Sequence, residues 1–209
     1  MDWLNKTSIA KNRSKSVFMK TYIKTSLESA VAVHEAILKD LILQNKLMEL
    51  ADWCLDALLN GGKIIFAGNG GSFADAQHLA AEFVSRLQFE REPLSSVALA
   101  TNNSIISAIG NDYGYDQIFS RELKAIGSSL DVFIPISTSG NSPNIIAAVQ
   151  VAKDKSIRTM GFTGISGGKL KSLCSCIHIP SKRTERIQEG HILIGHILCG
   201  LVESLYFQK

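Results

Sequence analysis

The stretch from Lys63 to Glu82 constrains this chain more than any other. A short β-branched and aromatic run, Ile64 to Ala67, gives way to Gly68-Asn69-Gly70-Gly71-Ser72 and then to an alanine-rich segment. That order predicts a strand, a tight loop and a helix. Glycines let the loop turn with φ > 0 and approach a ligand closely, while the helix presents unpaired N–H groups and the positive end of its dipole. The place suits an anionic or polyhydroxylated ligand. It is neither GxGxxG nor a P-loop, because no Lys-Ser/Thr pair closes it. On the helix, His78 and Glu82 lie four residues apart and so point from one face toward whatever the loop holds.

The same design recurs. Asp131 to Ile136 reads as a strand, Ser137-Thr138-Ser139-Gly140-Asn141-Ser142-Pro143 as a turn, and Asn144 to Lys153 as a helix. Hydroxyls, backbone N–H groups and a proline at the helix start together make an anion cradle suited to phosphate.

The rest of the chain fills in the architecture. Residues 1–18 are polar and basic, with Lys6, Lys11, Arg13 and Lys15, and are expected to form a flexible extension ahead of one domain over 19–209. From Thr21 to Asn60 a helical stripe runs through Leu27, Val31, His34, Leu38 and Leu41, then Leu43, Leu47, Leu50, Cys54 and Leu58. It predicts one long helix or two packed ones, with His34 a core or interface histidine. Beyond the first βα unit come a strand at 96–100, a short helix at 105–109, a polar turn at 110–114 and a helix at 115–126. Further strands are expected at 157–163 and 176–179, then a loop at 180–186 and an apolar, buried helix at 187–207. Strands alternating with helices in this rhythm make an α/β fold, an open and mainly parallel five-stranded sheet whose ligands gather at the strand C-termini.

Composition narrows the function classes. The net charge is +3 and dispersed, with no basic stripe interleaved with aromatics, so nucleic acid is not an expected partner. No apolar run reaches the roughly 18 residues of a membrane span, and no signal-type apolar core opens the chain. A cytoplasmic protein is expected, in which the Asn-x-Ser/Thr triplets at Asn5, Asn12 and Asn102 carry no meaning. Cys54, Cys174, Cys176 and Cys199 fit no zinc-finger spacing and read as reduced, mostly buried thiols.

Helical angles select polar residues on the last helix. Gln188 and His196 differ by eight residues, about 80° around the axis, whereas His191 and His196 are about 140° apart. His196 is therefore the better partner for Gln188.

With these residues in view, the chain resembles the phosphoheptose isomerase family of sugar isomerase (SIS) domain proteins. The resemblance covers residues 19–209. It is carried by Gly-Asn-Gly-Gly-Ser at 68–72, Asp-Ala-Gln-His-x-Ala-Ala-Glu at 75–82, Ala-Ile-Gly-Asn-Asp-Tyr-Gly at 108–114, Ser-Thr-Ser-Gly-Asn-Ser-Pro at 137–143 and Arg-Ile-Gln-Glu-x-His at 186–191. It implies a flavodoxin-like SIS sandwich and an aldose–ketose isomerase that interconverts sedoheptulose 7-phosphate and D-glycero-D-manno-heptose 7-phosphate through an enediol. That reaction is the first step of nucleotide-activated heptose synthesis. By the resemblance, Ser137, Thr138, Ser139 and Ser142 grip the phosphate, while Asn69, Gly70, Gly71, Ser72, Asn111, Asp112 and Gln188 hold the sugar. Glu82 and His196 match the family's base and acid, Arg86 an active-site arginine, and His78, Glu82, Gln188 and His196 the ligands of a zinc ion. A homotetramer is implied as well.

Two departures stand beside the resemblance. The loop Ser181-Lys182-Arg183-Thr184-Glu185 is more basic than in the isomerases, and Phe73 replaces a smaller or polar residue. The basic loop resembles a paralogous SIS protein that binds the replication initiator DnaA. That binder lacks the equivalents of Glu82 and His196, which this chain has. A non-catalytic scaffold, or an isomerase or binder of another phosphosugar, is the alternative.

Overall fold

The computed structural model describes residues 3–208, with side chains described from residue 15 onward. The extension expected over 1–18 lies largely outside those side chains. Helix α1 spans Trp3–Lys39 and α2 Leu41–Leu59. The choice between one helix and two is settled at Asp40, an extended residue whose carboxylate accepts the Leu43 amide at 3.0 Å and so opens a new helix.

The remaining elements alternate: β1 (Ile64–Gly68), α3 (Gly71–Val84), β2 (Ser96–Ala98), α4 (Asn103–Tyr113), α5 (Ile118–Ile126), β3 (Val132–Ser137), α6 (Pro143–Asp154), β4 (Arg158–Gly164), β5 (Ser175–Ile179) and α7 (Thr184–Phe207). All strand pairs are parallel, in the order β2-β1-β3-β4-β5. This is the expected open five-stranded α/β sandwich. Alternation along β1 splits the core in two. Ile64 and Phe66 pack with Leu79, Phe83 and Leu198 beneath α2, α3 and α7, whereas Ile65 and Ala67 join Phe119, Phe133 and Ile145 beneath α5 and α6. Each fully buried Leu, Ile or Phe side chain among these contributes about 1.5–3 kcal/mol.

Three expectations need correction. The turn expected at 110–114 is helical as far as Tyr113: the Asn102 side chain caps α4 through the amides of Ser104 and Ile105, and Gly114, at φ +85°, ends it. A single glycine inside a helix costs only about 1 kcal/mol, so Gly110 does not break it. Likewise, α7 begins at Thr184 rather than after a loop to Arg186, with Glu185 in the first turn where the dipole favours a carboxylate. By length and composition alone α7 is long and apolar enough to cross a membrane, its most apolar 18-residue window having a mean hydropathy of 1.4, but half of that window is buried in this fold, as in a core helix. The four cysteines are free thiols, three of them buried.

Candidate active site

The cradle forms where β1 and β3 end side by side, with Gly68 level with Ile136. Only Asn69 and Gly70, the latter at φ +56°, separate β1 from α3. A Cβ on Gly71 would lie 2.3 Å from Gln188 Nε2, so the glycine leaves room for the Gln188 side chain to lie against this turn. Across the gap, the loop after β3 organises itself. Ser137 Oγ lies 3.1 Å from Ser142 Oγ and accepts the Gly140 amide at 3.2 Å, and Ser139 Oγ accepts the Asn141 amide at 3.1 Å. Pro143 opens α6.

Of the residues expected at the site, Asn69, Gly70, Gly71, Ser72, Ser137, Thr138, Ser142 and Gln188 line one cavity of about 300 Å³, together with Thr184. Ser139 lines the adjoining cavity of about 330 Å³ with Thr138, Ser181 and Lys182. The basic loop therefore borders the cradle. Phe73 lines a smaller recess beside Asn69, Gly70 and Tyr115.

From the cradle, α3 and α7 run side by side in the same direction. Gly71 meets Gln188, and two turns on His78 meets His196. His78 Nε2 lies 2.8 Å from His196 Nε2 and 3.1 Å from Glu82 Oε1, and the donor atoms of the three residues all lie within 4.8 Å of one another. Two imidazoles and a carboxylate brought this close are a donor set that could hold a metal ion. Gln188, the fourth ligand implied by the resemblance, sits instead against Gly71 at the cradle. Asp75, one turn before His78, has its carboxyl raised to about 6 by burial, with His78 pulling the other way.

Other expected residues stand apart from this cavity. Arg86 is exposed and pairs with Glu90 at 3.2 Å. Asn111 donates to Asp112 at 2.7 Å, and both line an open depression on α4 with Ser104 and Ser107. His191 is wholly buried against Phe162, with ring centroids 5.9 Å apart, and burial lowers its pKa to about 4.

Sequence reasoning missed Asn144, which is 2% exposed and bonded to Asn69, and Tyr115, whose hydroxyl donates to Asn69 Oδ1 at 3.2 Å. A polar residue just inside a helix whose cap is already supplied was the only signal for Asn144.

Comparison with known proteins agrees with the geometry. The SIS domain family profile matches residues 27–164. Phosphoheptose isomerase of Aneurinibacillus thermoaerophilus is 54% identical over 192 residues, covering 91% of this chain and 97% of that protein. Phosphoheptose isomerase 2 of Campylobacter jejuni is 50% identical over 91% of this chain and 96% of its own length. The solved phosphoheptose isomerase GmhA of Neisseria gonorrhoeae superposes with a TM-score of 0.83 at 38% identity, covering 89% of this chain and 99% of that one. With a phosphate-type cradle, a His/His/Glu cluster and relatives of this similarity, the chain belongs to the phosphoheptose isomerases of the SIS domain family, which are sugar-phosphate isomerases.

Proposed function

We propose that this protein converts D-sedoheptulose 7-phosphate to D-glycero-D-manno-heptose 7-phosphate, the first step toward a nucleotide-activated heptose. One observation carries the reading: the hydroxyl cradle and the His78/Glu82/His196 cluster stand two turns apart along parallel helices, about 10–12 Å. A sugar held by its terminal phosphate in the cradle would extend its far end, where the carbonyl lies, toward the cluster.

The chemistry follows from the groups. Aldose–ketose isomerisation moves a proton between C1 and C2 through an enediol, and so needs a base at carbon and an acid at oxygen. Glu82 is the base and His196 the acid. Ser137, Thr138, Ser139 and Ser142 hold the phosphate, with charge-assisted hydrogen bonds supplying the grip. Asn69, Gly70, Gly71, Ser72 and Gln188 orient the carbon chain. His78, Glu82 and His196 would hold zinc, which when bound would polarise a carbonyl and steady an enediolate; Gln188, implied as a fourth ligand by the resemblance, stays at the cradle.

The protein would act in the cytoplasm as a homotetramer. An apolar groove of about 540 Å³, lined by His34, Ile37, Leu38, Met48, Leu193 and Ile197, supports the assembly.

The decisive experiment is NMR of purified protein with sedoheptulose 7-phosphate. Appearance of the aldose with solvent deuterium at C2 is expected. No turnover of this ketose, but turnover of another phosphosugar, overturns the substrate assignment. No turnover of any phosphosugar favours the scaffold reading.

A further inference from the structure

Arg91 and Glu203 form an ion pair with side chains only 2% and 0% exposed, Arg91 Nε meeting Glu203 Oε1 at 2.8 Å. Stability alone is a weak reason for such a pair, because well-packed apolar residues usually serve as well. Its partners point to another reason. Arg91 Nη2 donates to the Glu82 carbonyl at 2.8 Å, and Nη1 to the carbonyls of Phe83 at 2.7 Å and Ser85 at 3.1 Å. The guanidinium thus closes the C-terminal end of α3, where carbonyls lack helical partners and the dipole favours a cation. Glu203, on α7, accepts the amides of Leu87 at 3.0 Å and Gln88 at 2.9 Å. Those amides directly follow Arg86, so the carboxylate fixes the segment that leads on from it.

The placement on α7 completes the argument. Glu203 follows His196 by seven residues, within about 20° of the same side of the helix and two turns along it. A Cβ on Gly200 would lie 2.6 Å from Gln88 Nε2, so the Gln88 side chain rests against α7 at this glycine. The parallel pair α3 and α7 therefore touches at Gly71/Gln188 and at His78/His196, and the segment just after α3 touches α7 at Leu87/Glu203. Arg91 adds a second link there, because it bonds Glu203 and the backbone carbonyl of Glu82 at once.

We propose that Arg91 and Glu203 are positioning residues: they fix the axial register of α3 against α7, and with it the approach of His196 to His78 and Glu82 and the exit of Arg86. A slide of one helix along the other would open the cluster while leaving intact the hydroxyl loop after β3, which belongs to neither helix and holds itself through Ser137, Ser139 and Ser142. This rests on the proposed roles of Glu82 and His196, and zinc affinity separates the two ideas because it needs no turnover.

The test uses full-length Glu203→Gln, with Arg91→Lys as a second variant that keeps its charge and loses the fork. Zinc(II) affinity of metal-stripped protein, kcat and KM for the sugar phosphate, binding of inorganic phosphate and thermal unfolding are measured together. Zinc affinity and kcat should each fall at least about tenfold, as for loss of residues that orient a metal's ligands. KM and phosphate binding should stay within about threefold of the unaltered protein. Zinc affinity and kcat both within about twofold, with only the melting temperature lowered, overturn the proposal. If Glu203→Gln does not fold, Arg91→Lys decides by the same limits. If the unaltered protein binds zinc but turns over no phosphosugar, the functional reading fails and zinc affinity alone decides this one.

Discussion

Asn69 and Asn144 hold each other by two reciprocal side-chain hydrogen bonds, each 2.9 Å, across the gap between the turn after β1 and the start of α6. Asn144 Oδ1 also accepts the amide of Ile145 at 2.9 Å, so the pair is anchored to the helix that carries the cradle. Asn144→Ala leaves Asn69 without that partner beside the ligand cavity. The variant should lose about 1–3 kcal/mol of stability and bind sugar phosphate at least about tenfold more weakly. Calorimetry with the phosphosugar alongside thermal unfolding checks both, and unchanged affinity would show that the pair serves stability alone.

Glu82→Gln and His196→Asn should each remove most turnover. Their side chains meet at the His78 cluster, and loss of a general acid or base costs on the order of 10²–10⁴ in rate. Circular dichroism should show the fold intact, since Glu82 and His196 are partly exposed rather than core residues. Near-normal kcat in either variant would sink the assignment of roles.

What could be read from sequence follows the range of the interactions. The strand–turn–helix units and the hydroxyl-rich cradle were legible because glycine, proline and serine signals act over a few residues, and His78 and Glu82 because helical spacing is local. The helical end of α4 was not, because Gly110 gives a turn signal that capping at Asn102 outweighs. The Asn69–Asn144 and Arg91–Glu203 pairs, 75 and 112 residues apart, exist only once the sheet order brings their elements together. The same holds for Gln188, whose angular kinship with His196 was visible but whose contact with Gly71 was not.

Acid should destabilise the protein through His191. Its folded pKa, lowered by burial from 6.5 to about 4, means that the folded state keeps the ring neutral while the unfolded chain takes up a proton below 6.5. The stability is therefore fully present above pH 6.5 and is lost as pH falls toward 4, by up to about 3 kcal/mol. Denaturant unfolding of His191→Phe should lack this part of the pH dependence between 6.5 and 4. An identical slope in both proteins would contradict it.

Assembly gives the last test. Along α1 and the start of α2, Leu27 is 62% exposed, Leu38 73%, Leu41 69% and Ile42 72%, beside the groove formed with Met48 and Ile197. Leu27 and Leu38 are eleven residues apart, within about 20° of one side of α1. Apolar surface of this kind is costly in water at about 25 cal/mol per Å², and contiguous patches mark contact surfaces. Burial between copies of the chain in the proposed closed symmetric tetramer would remove that cost. A charge at either position would instead be buried unpaired in the interface. Leu27→Glu and Leu38→Glu should therefore shift light scattering from tetramer to smaller species and reduce kcat in parallel, with secondary structure retained. A fully active monomer, in the variants or in the unaltered protein, would refute the assembly.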